Sequence, residues 1–433
     1  MPPDHATDLL ALLASFGLCR HRLGRWEFDE RHLCHTPQER LFYQGHWHEG
    51  LLPMPDDDPS ALAAYRAFSA AIAGVQRQVA FALPTAGAVW TPAHAVLDAV
   101  TMAAWLDAGG HRHPLLRSYL DYSCRDDFGA GLGQVSAWAG LHYFASRHGF
   151  QAPGEGSGER DGVLTWPEGN GWLTARLAAP VASRVHTGRL AVRVDAGRDE
   201  VRVLTVAAGD GPPELWTARH VVLATPLHVT ARLLSAPPAP LAEAAAAVPH
   251  APWLVANLLV DDALDDPPGA PPAWDNVLHG SPLLGYVDAM HQSTRPHPGP
   301  TVLTAYWALG GQDAGEMKAA RRRLLDDDWR SWAAAVVADL ARAHPDLPGK
   351  VAQVDLMRYG HAMAVPVPGV RGSAALAALA RPHGRVSFAH ADLSGYSVFE
   401  EAFAHGLRAA REVLALTRPS APRSRGSTPA PRG

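Results

Sequence analysis

The stretch "GRVSFAHADLSGYSVFEEAFAHGLRAARE", Gly384 to Glu412, constrains the fold of this chain more than any other. Val386 and Phe388 alternate with Ser387 and Ala389, the pattern of a short strand. Asp392 follows just past the carboxyl end of that strand, where ligands bind in open α/β sheets, and a carboxylate there can accept hydrogen bonds from a ligand hydroxyl. Ser397 and Glu400 are spaced as an S-x-x-E capping box, which predicts a helix from about Val398. The start of that helix would offer unpaired N–H groups to an anion or a carbonyl-rich ring. Phe399, Ala402, Phe403, Gly406 and Ala410 recur at spacings of three and four and form its inner face. Gly406 inside a helix costs roughly 1 kcal/mol relative to Ala, which suggests that another backbone comes close. An ordinary capped core helix would carry the same pattern.

The remaining sequence interleaves helical and strand patterns. Residues 1–35 read as an amphipathic helix and a polar turn, and 36–60 as a hairpin around Gly45. Residues 60–150 are mainly helical. A polar loop at 151–162 leads into strands over 163–226, a helix near 227–247 and the strand "PWLVANLLV". Two further strands, a helix over about 315–343 and the strand "VAQVDLMRYGHAMA" precede the opening segment. Residues 417–433 form a basic low-complexity tail expected to be disordered. Because the α/β pieces lie far apart in the chain, the pattern predicts two discontinuous domains with a shared interface, a common place for a ligand.

Composition narrows the function. Of 433 residues, 47% are hydrophobic and 19% charged, a globular balance, and the net charge of −5 gives no basic footprint for nucleic acid. Cys19, Cys34 and Cys124 are odd in number and scattered, so a reducing compartment, the cytoplasm, is expected. The amino terminus lacks the basic start and cleavage site of a signal peptide, and no apolar run approaches the ~20 residues of a membrane span.

The terminal segment resembles the FAD-binding segment of the flavin-containing amine oxidase and phytoene desaturase-like superfamily, a strand ending in FAG-x-E followed by a helix reading E-G-A…G-x-R-A-A. Asp392 falls on the family acid, Glu400, Glu401 and Ala402 on E-G-A, and Gly406, Arg408, Ala409 and Ala410 on G-x-R-A-A. His390 and Glu401 stand where the family has glycine. "ARHVVLATPLHVTARLL" and "LTWPEGNGWLTARLAAP" resemble two further family segments, in the family's order. The resemblance implies an α/β (α+β mixed) fold: an FAD/NAD(P)-binding Rossmann-like domain from 163–245 and 366–416, with a discontinuous substrate domain of mixed sheet and helices from 36–150 and 246–365. It implies FAD as cofactor and a small-molecule substrate that gives hydride to the flavin. It places Asp392, Gly395, Ser397, Val398, Phe399, Thr225 and Pro226 at the cofactor, with Ala191 near the adenine.

The family's G-x-G-x-x-G unit, which lets backbone approach the pyrophosphate, has no counterpart near the start of this sequence. The glycines of "GAGLGQ" and "GEGSGERDG" have the wrong spacing or context. The expectation is therefore an N-terminally incomplete cofactor domain, a truncated chain that binds FAD weakly. The alternative is a non-enzymatic remnant or interaction protein that keeps the fold without flavin. Where many family members carry a lysine, "PWLVANLLV" has Ala256 and Asn257, which leaves desaturase-like or dehydrogenase-like chemistry open. Tyr359, His361 and Tyr396 are the catalytic candidates, an aromatic to line a pocket and a histidine to move a proton. Structural roles for all three compete with these. His46 and His48 in "GHWHEG" share a strand face but lack a third ligand, so no metal is expected.

Overall fold

The computed structural model describes residues 2–3, 5–54, 58–147, 149–155, 162–166, 168–209, 211–293 and 297–417. Most of the tail expected from 417 onward, and much of the 151–162 loop, lie outside these residues.

The strand His250–Val260 is apolar on both faces, as a central strand must be. It sits second in a seven-stranded sheet of order Val351–Ala364, His250–Val260, Thr301–Ala308, Tyr286–Asp288, Asp275–Leu278, Glu39–Tyr43, His46–Glu49. Every pair is antiparallel except Asp275–Leu278 with Glu39–Tyr43, which run parallel with Asp275 opposite Glu39. One face packs Leu254, Leu258 and Leu303 against Leu324, Trp332 and Leu340 of two covering helices. Each fully buried side chain of this kind is worth roughly 2 kcal/mol. The sequence predicts one helix here. There are two, Ala314–Asp326 and Trp329–Leu340, because Asp328 leaves the helical conformation and its carboxylate caps the second at Arg330 N (2.8 Å).

The helices Pro59–Gln78, Met102–Ala108, Pro114–Phe128 and Ala137–Ala145 enclose a separate core around Phe68, Leu116, Leu141 and Tyr396. A third core lies under two short parallel strands, Val221–Leu223 and Val386–Phe388. A three-stranded antiparallel sheet (Arg189–Ala196, Val201–Ala207, Glu214–Ala218) stands beside them. Among the described residues the parallel pair has no third strand. Its free edge is closed by other means: the Phe388 carbonyl accepts from Arg408 Nη2, and Val386 exchanges backbone hydrogen bonds with His383.

The final helix runs Phe399–Thr417, one residue later than its sequence predicts. The capping box gives way to a tertiary contact, in which Ser397 Oγ accepts from Ala364 N (3.0 Å) and ties the helix entry to the end of the large sheet.

Candidate functional site

The carboxyl ends of Val221–Leu223 and Val386–Phe388 lie side by side, the position where α/β sheets bind ligands. Asp392 lies on a 3-10 turn, Ala391–Ser394, directly after the second strand, and is fully buried. Its Oδ2 accepts from Leu227 N (2.9 Å), the first residue of the helix Leu227–Leu233, and from His250 Nε2 (3.0 Å). His390 Nδ1 stands 3.1 Å from Oδ1, which makes no hydrogen bond. Burial would push this carboxyl up, but the hydrogen bond from His250 and the neighbouring His390 override it and hold it well below the usual carboxylate range.

His250 opens a chain of imidazoles. Its ring lies 4.6 Å from His228, which lies 5.0 Å from His361 at the surface. Burial, then the neighbouring His250 and His361, pull His228 down to about 4. Burial, then Arg321, lowers His361 as well. Both rings are therefore neutral at neutral pH. Asp392, Thr225, Pro226 and His361 thus converge at one junction from three separate segments of the chain. The sequence reading missed His228 and His250, although His228 stands only two residues past Pro226; with 23 histidines in the chain, no pair stood out.

At the junction, Thr225 and Pro226 serve the helix that follows them, and the other predicted residues are dispersed. Thr225 Oγ1 is paired with Thr230 Oγ1 (2.7 Å), and the Pro226 carbonyl caps the following helix. Gly395 has φ +82°, and a Cβ there would meet Val370 Cγ1 at 2.8 Å. Val398 packs on the helical core, Phe399 stacks on Phe403, and Ala191 is half-buried in the three-stranded sheet. Tyr359 is 45% exposed on the edge strand of the large sheet. Tyr396 is buried among Phe128, Trp138 and His142, with its hydroxyl donating to Glu401 Oε1 (3.2 Å).

Glu401 is itself buried. Oε1 also accepts from Thr85 N (2.5 Å), and Oε2 accepts from Thr85 Oγ1 (3.0 Å) and Ser394 Oγ (2.5 Å). Its roughly four acceptor positions are all filled. On this side of the last helix a cavity of about 540 Å³ opens, walled by Leu9, Leu376, Leu393 and Phe403. A second cavity, about 460 Å³, lies where "DYSCRDDFGAG" meets "WDNVLHGSPLLGY", lined by Asp121, Tyr122, Arg125 and His279. Near it, Asp126 keeps solvent contact, yet burial, then Asp127, raises its carboxyl to about 7, with Glu39 adding to the effect. Among the described residues no group of three or more histidines, cysteines or carboxylates could hold a metal ion. Among the described residues no helix is long and apolar enough to cross a membrane.

This arrangement of helices and mixed sheets matches the fold of FAD-dependent amine oxidases. The sequence profile of the flavin containing amine oxidoreductases matches residues 1–414, and the chain belongs to that family, the FAD-dependent oxidoreductases of the amine oxidase-like class. Similar solved structures include cyclohexylamine oxidase from Brevibacterium oxydans IH-35A (19% identity, 96% of this chain and 87% of that one covered, TM-score 0.64). Another is putrescine oxidase bound to putrescine (16% identity, the same coverage, TM-score 0.63). No curated protein matches the chain.

Asp392 keeps one buried oxygen, Oδ1, without a hydrogen-bond partner. The acid that the resemblance assigns to the cofactor, Asp392, spends Oδ2 on protein donors inside the core. The first turn of the last helix carries Glu400 and Glu401, of which Glu401 is held by Thr85, Ser394 and Tyr396.

Proposed function

We propose that this chain acts on a small-molecule amine as an amine oxidase-like flavoenzyme, and that the residues described here hold FAD weakly. The observation that carries the first part is the convergence of Asp392, Thr225, Pro226 and His361 at the carboxyl ends of the parallel strands. The flavin supplies the redox chemistry of the family when bound. The contribution of this chain is to fix Asp392 as an ionised, fully buried acceptor and to hold neutral imidazoles between it and the surface. In that reading His361, exposed and neutral, is the group placed to take a proton near neutral pH.

The domain division follows the cores. The large sheet draws its strands from 36–150 and 246–365, which supports these as the substrate domain, and the parallel pair draws from 163–245 and 366–416. A cytoplasmic setting is supported by three buried free cysteines, with burial pushing the Cys34 thiol up to about 12. A second reading, a protein that keeps the fold without flavin, is favoured by one observation, the saturated Glu401 carboxylate at the helix start.

The test is to mix the purified chain with FAD, remove free cofactor and record the visible spectrum and the bound stoichiometry. Flavin bound only at substoichiometric levels, with amine-dependent bleaching of what remains, is the expected result. Full retention would overturn weak binding, and complete absence of bound flavin at saturating FAD would favour the second reading.

A further inference from the structure

The cavity of about 460 Å³ lies between the helix Pro114–Phe128 and the large sheet. The parallel register of Glu39–Tyr43 with Asp275–Leu278 sets Asp275 directly opposite Glu39, so both carboxylates stand on one face of the sheet. Leu41 and Val277, two residues further along each strand, share that face, pack on Tyr122 of the helix and line the cavity. Asp126 is one turn beyond Tyr122 on the same side of the helix. Three carboxylates are thereby gathered from three elements at the end of the cavity where both strands begin, and all three keep solvent contact. Like charges directly opposite each other on neighbouring strands are destabilising. Burial, then Asp126 and Glu39, hold the Asp275 carboxyl well above its ordinary value.

The chain supplies little to balance these acids. Arg125 and Arg147 act on Asp126, but they pair with Asp121 (3.2 Å) and Asp127 (3.6 Å). Among the described residues no arginine, lysine or histidine forms an ion pair with Asp126 or Asp275. A second observation comes from Tyr122. It is only 9% exposed and lines the cavity, yet among the described residues its hydroxyl has no hydrogen-bond partner. Burial, then Asp275 and Asp126, push that hydroxyl well above the ordinary tyrosine value, so it stays a neutral donor beside carboxylates it does not reach. Buried polar groups left without partners point to a ligand that enters between them. A bare metal ion does not suit the space, since no three acids among the described residues could close around one. Ammonium groups spaced along a chain do. Each brings three donors, the Tyr119 and Tyr122 rings at the wall can attract a cation, and Leu41, Leu51, Val277 and Leu283 suit the alkyl part. Carboxylates keep an ammonium protonated, whereas an amine must be neutral to give up hydride, so such a site selects the substrate and takes no part in its oxidation.

We propose that Glu39, Asp126 and Asp275 form a recognition site for an aliphatic molecule carrying more than one ammonium group, with Asp126 as the residue that determines this specificity. The inference names a substrate class within the amine reading and rests on it, but its test needs no flavin. The full chain, free of added FAD, is titrated at pH 8 by calorimetry with 1,5-diaminopentane, pentylamine, 1-pentanol and magnesium chloride. The diamine is expected to bind at least about tenfold more tightly than pentylamine, a factor typical of one further charge-assisted hydrogen bond, and 1-pentanol more weakly than either. Asp126→Asn keeps the shape of the side chain and removes a like charge, so it should fold and should abolish the advantage of the diamine over the monoamine. Equal binding of diamine and monoamine by the unaltered chain would overturn the proposal. So would magnesium binding as tightly as the diamine, an undiminished diamine preference in Asp126→Asn, or no binding of any of the four. A diamine preference in a chain that holds no flavin would count against the flavoenzyme reading alone. Equal binding in a chain that does hold FAD would count against this site alone.

Discussion

At the residue scale, Glu401 shows how one substitution against a family pattern reorganises its surroundings. A carboxylate at a helix start is ordinarily a solvent-exposed partner of the helix dipole. Here it is buried, and it survives because Thr85, Ser394 and Tyr396 provide it with four donors. The sequence revealed the departure from glycine but not the donors, since Thr85 lies more than three hundred residues away. Replacing Glu401 with Gly should leave those donors facing a void. The expected cost is about 3 kcal/mol or more from unsatisfied buried groups, plus roughly 1 kcal/mol for glycine in the helix. Denaturant unfolding measures it. If Glu401 is what weakens the cofactor seat, the same variant should retain more FAD on equilibrium dialysis despite its lower stability.

At the scale of elements, capping decided where helices begin and end. Asp328 was readable as a capping residue, yet the apolar period runs through it, and periodicity alone predicts one helix over about 315–343. The chain instead turns at Asp327 and restarts on the Asp328 carboxylate. Asp328→Ala should cost about 1 kcal/mol, read as a lower denaturation midpoint with an unchanged m-value. Ser397 teaches the reverse. Its spacing to Glu400 predicts a local capping box, but the hydroxyl is taken by Ala364 N from a distant strand. A tertiary partner thereby displaced a local one at the entry of the helix that the whole resemblance rests on.

At the scale of the whole molecule, buried titratable groups set how stability follows pH. His142, His228 and His405 are pulled down to about 3, 4 and 4, in each case first by burial. Between the unfolded value of 6.5 and those folded values, the unfolded chain binds more protons than the folded one. Stability therefore falls as pH drops through that window. Asp126 works in the opposite sense: raised to about 7, it costs stability as pH rises from its ordinary 3.8. Asp98, Asp127, Asp275 and Glu400 are raised by burial in the same sense, but eight histidines are lowered (His111, His142, His220, His228, His279, His344, His361 and His405), so the acid side should dominate. Thermal unfolding at pH 5 is expected at least about 3 °C below that at pH 7.5, and a flat or rising profile toward acid would contradict the assignment of those buried neutral rings.

The sequence by itself determined the pieces whose signals are local. Alternation fixed the strands, spacing fixed the last helix, and the order of Ala224–Pro226, Asp392 and Gly406–Ala410 carried the family. What it could not carry were pairings across long stretches of chain. Tertiary structure decided that Asp392 Oδ2 is taken by His250 and Leu227 and that three imidazoles line up behind it. The physical reason is that hydrogen-bond saturation and desolvation are properties of a whole neighbourhood. That neighbourhood is assembled here from residues that the chain keeps hundreds of positions apart.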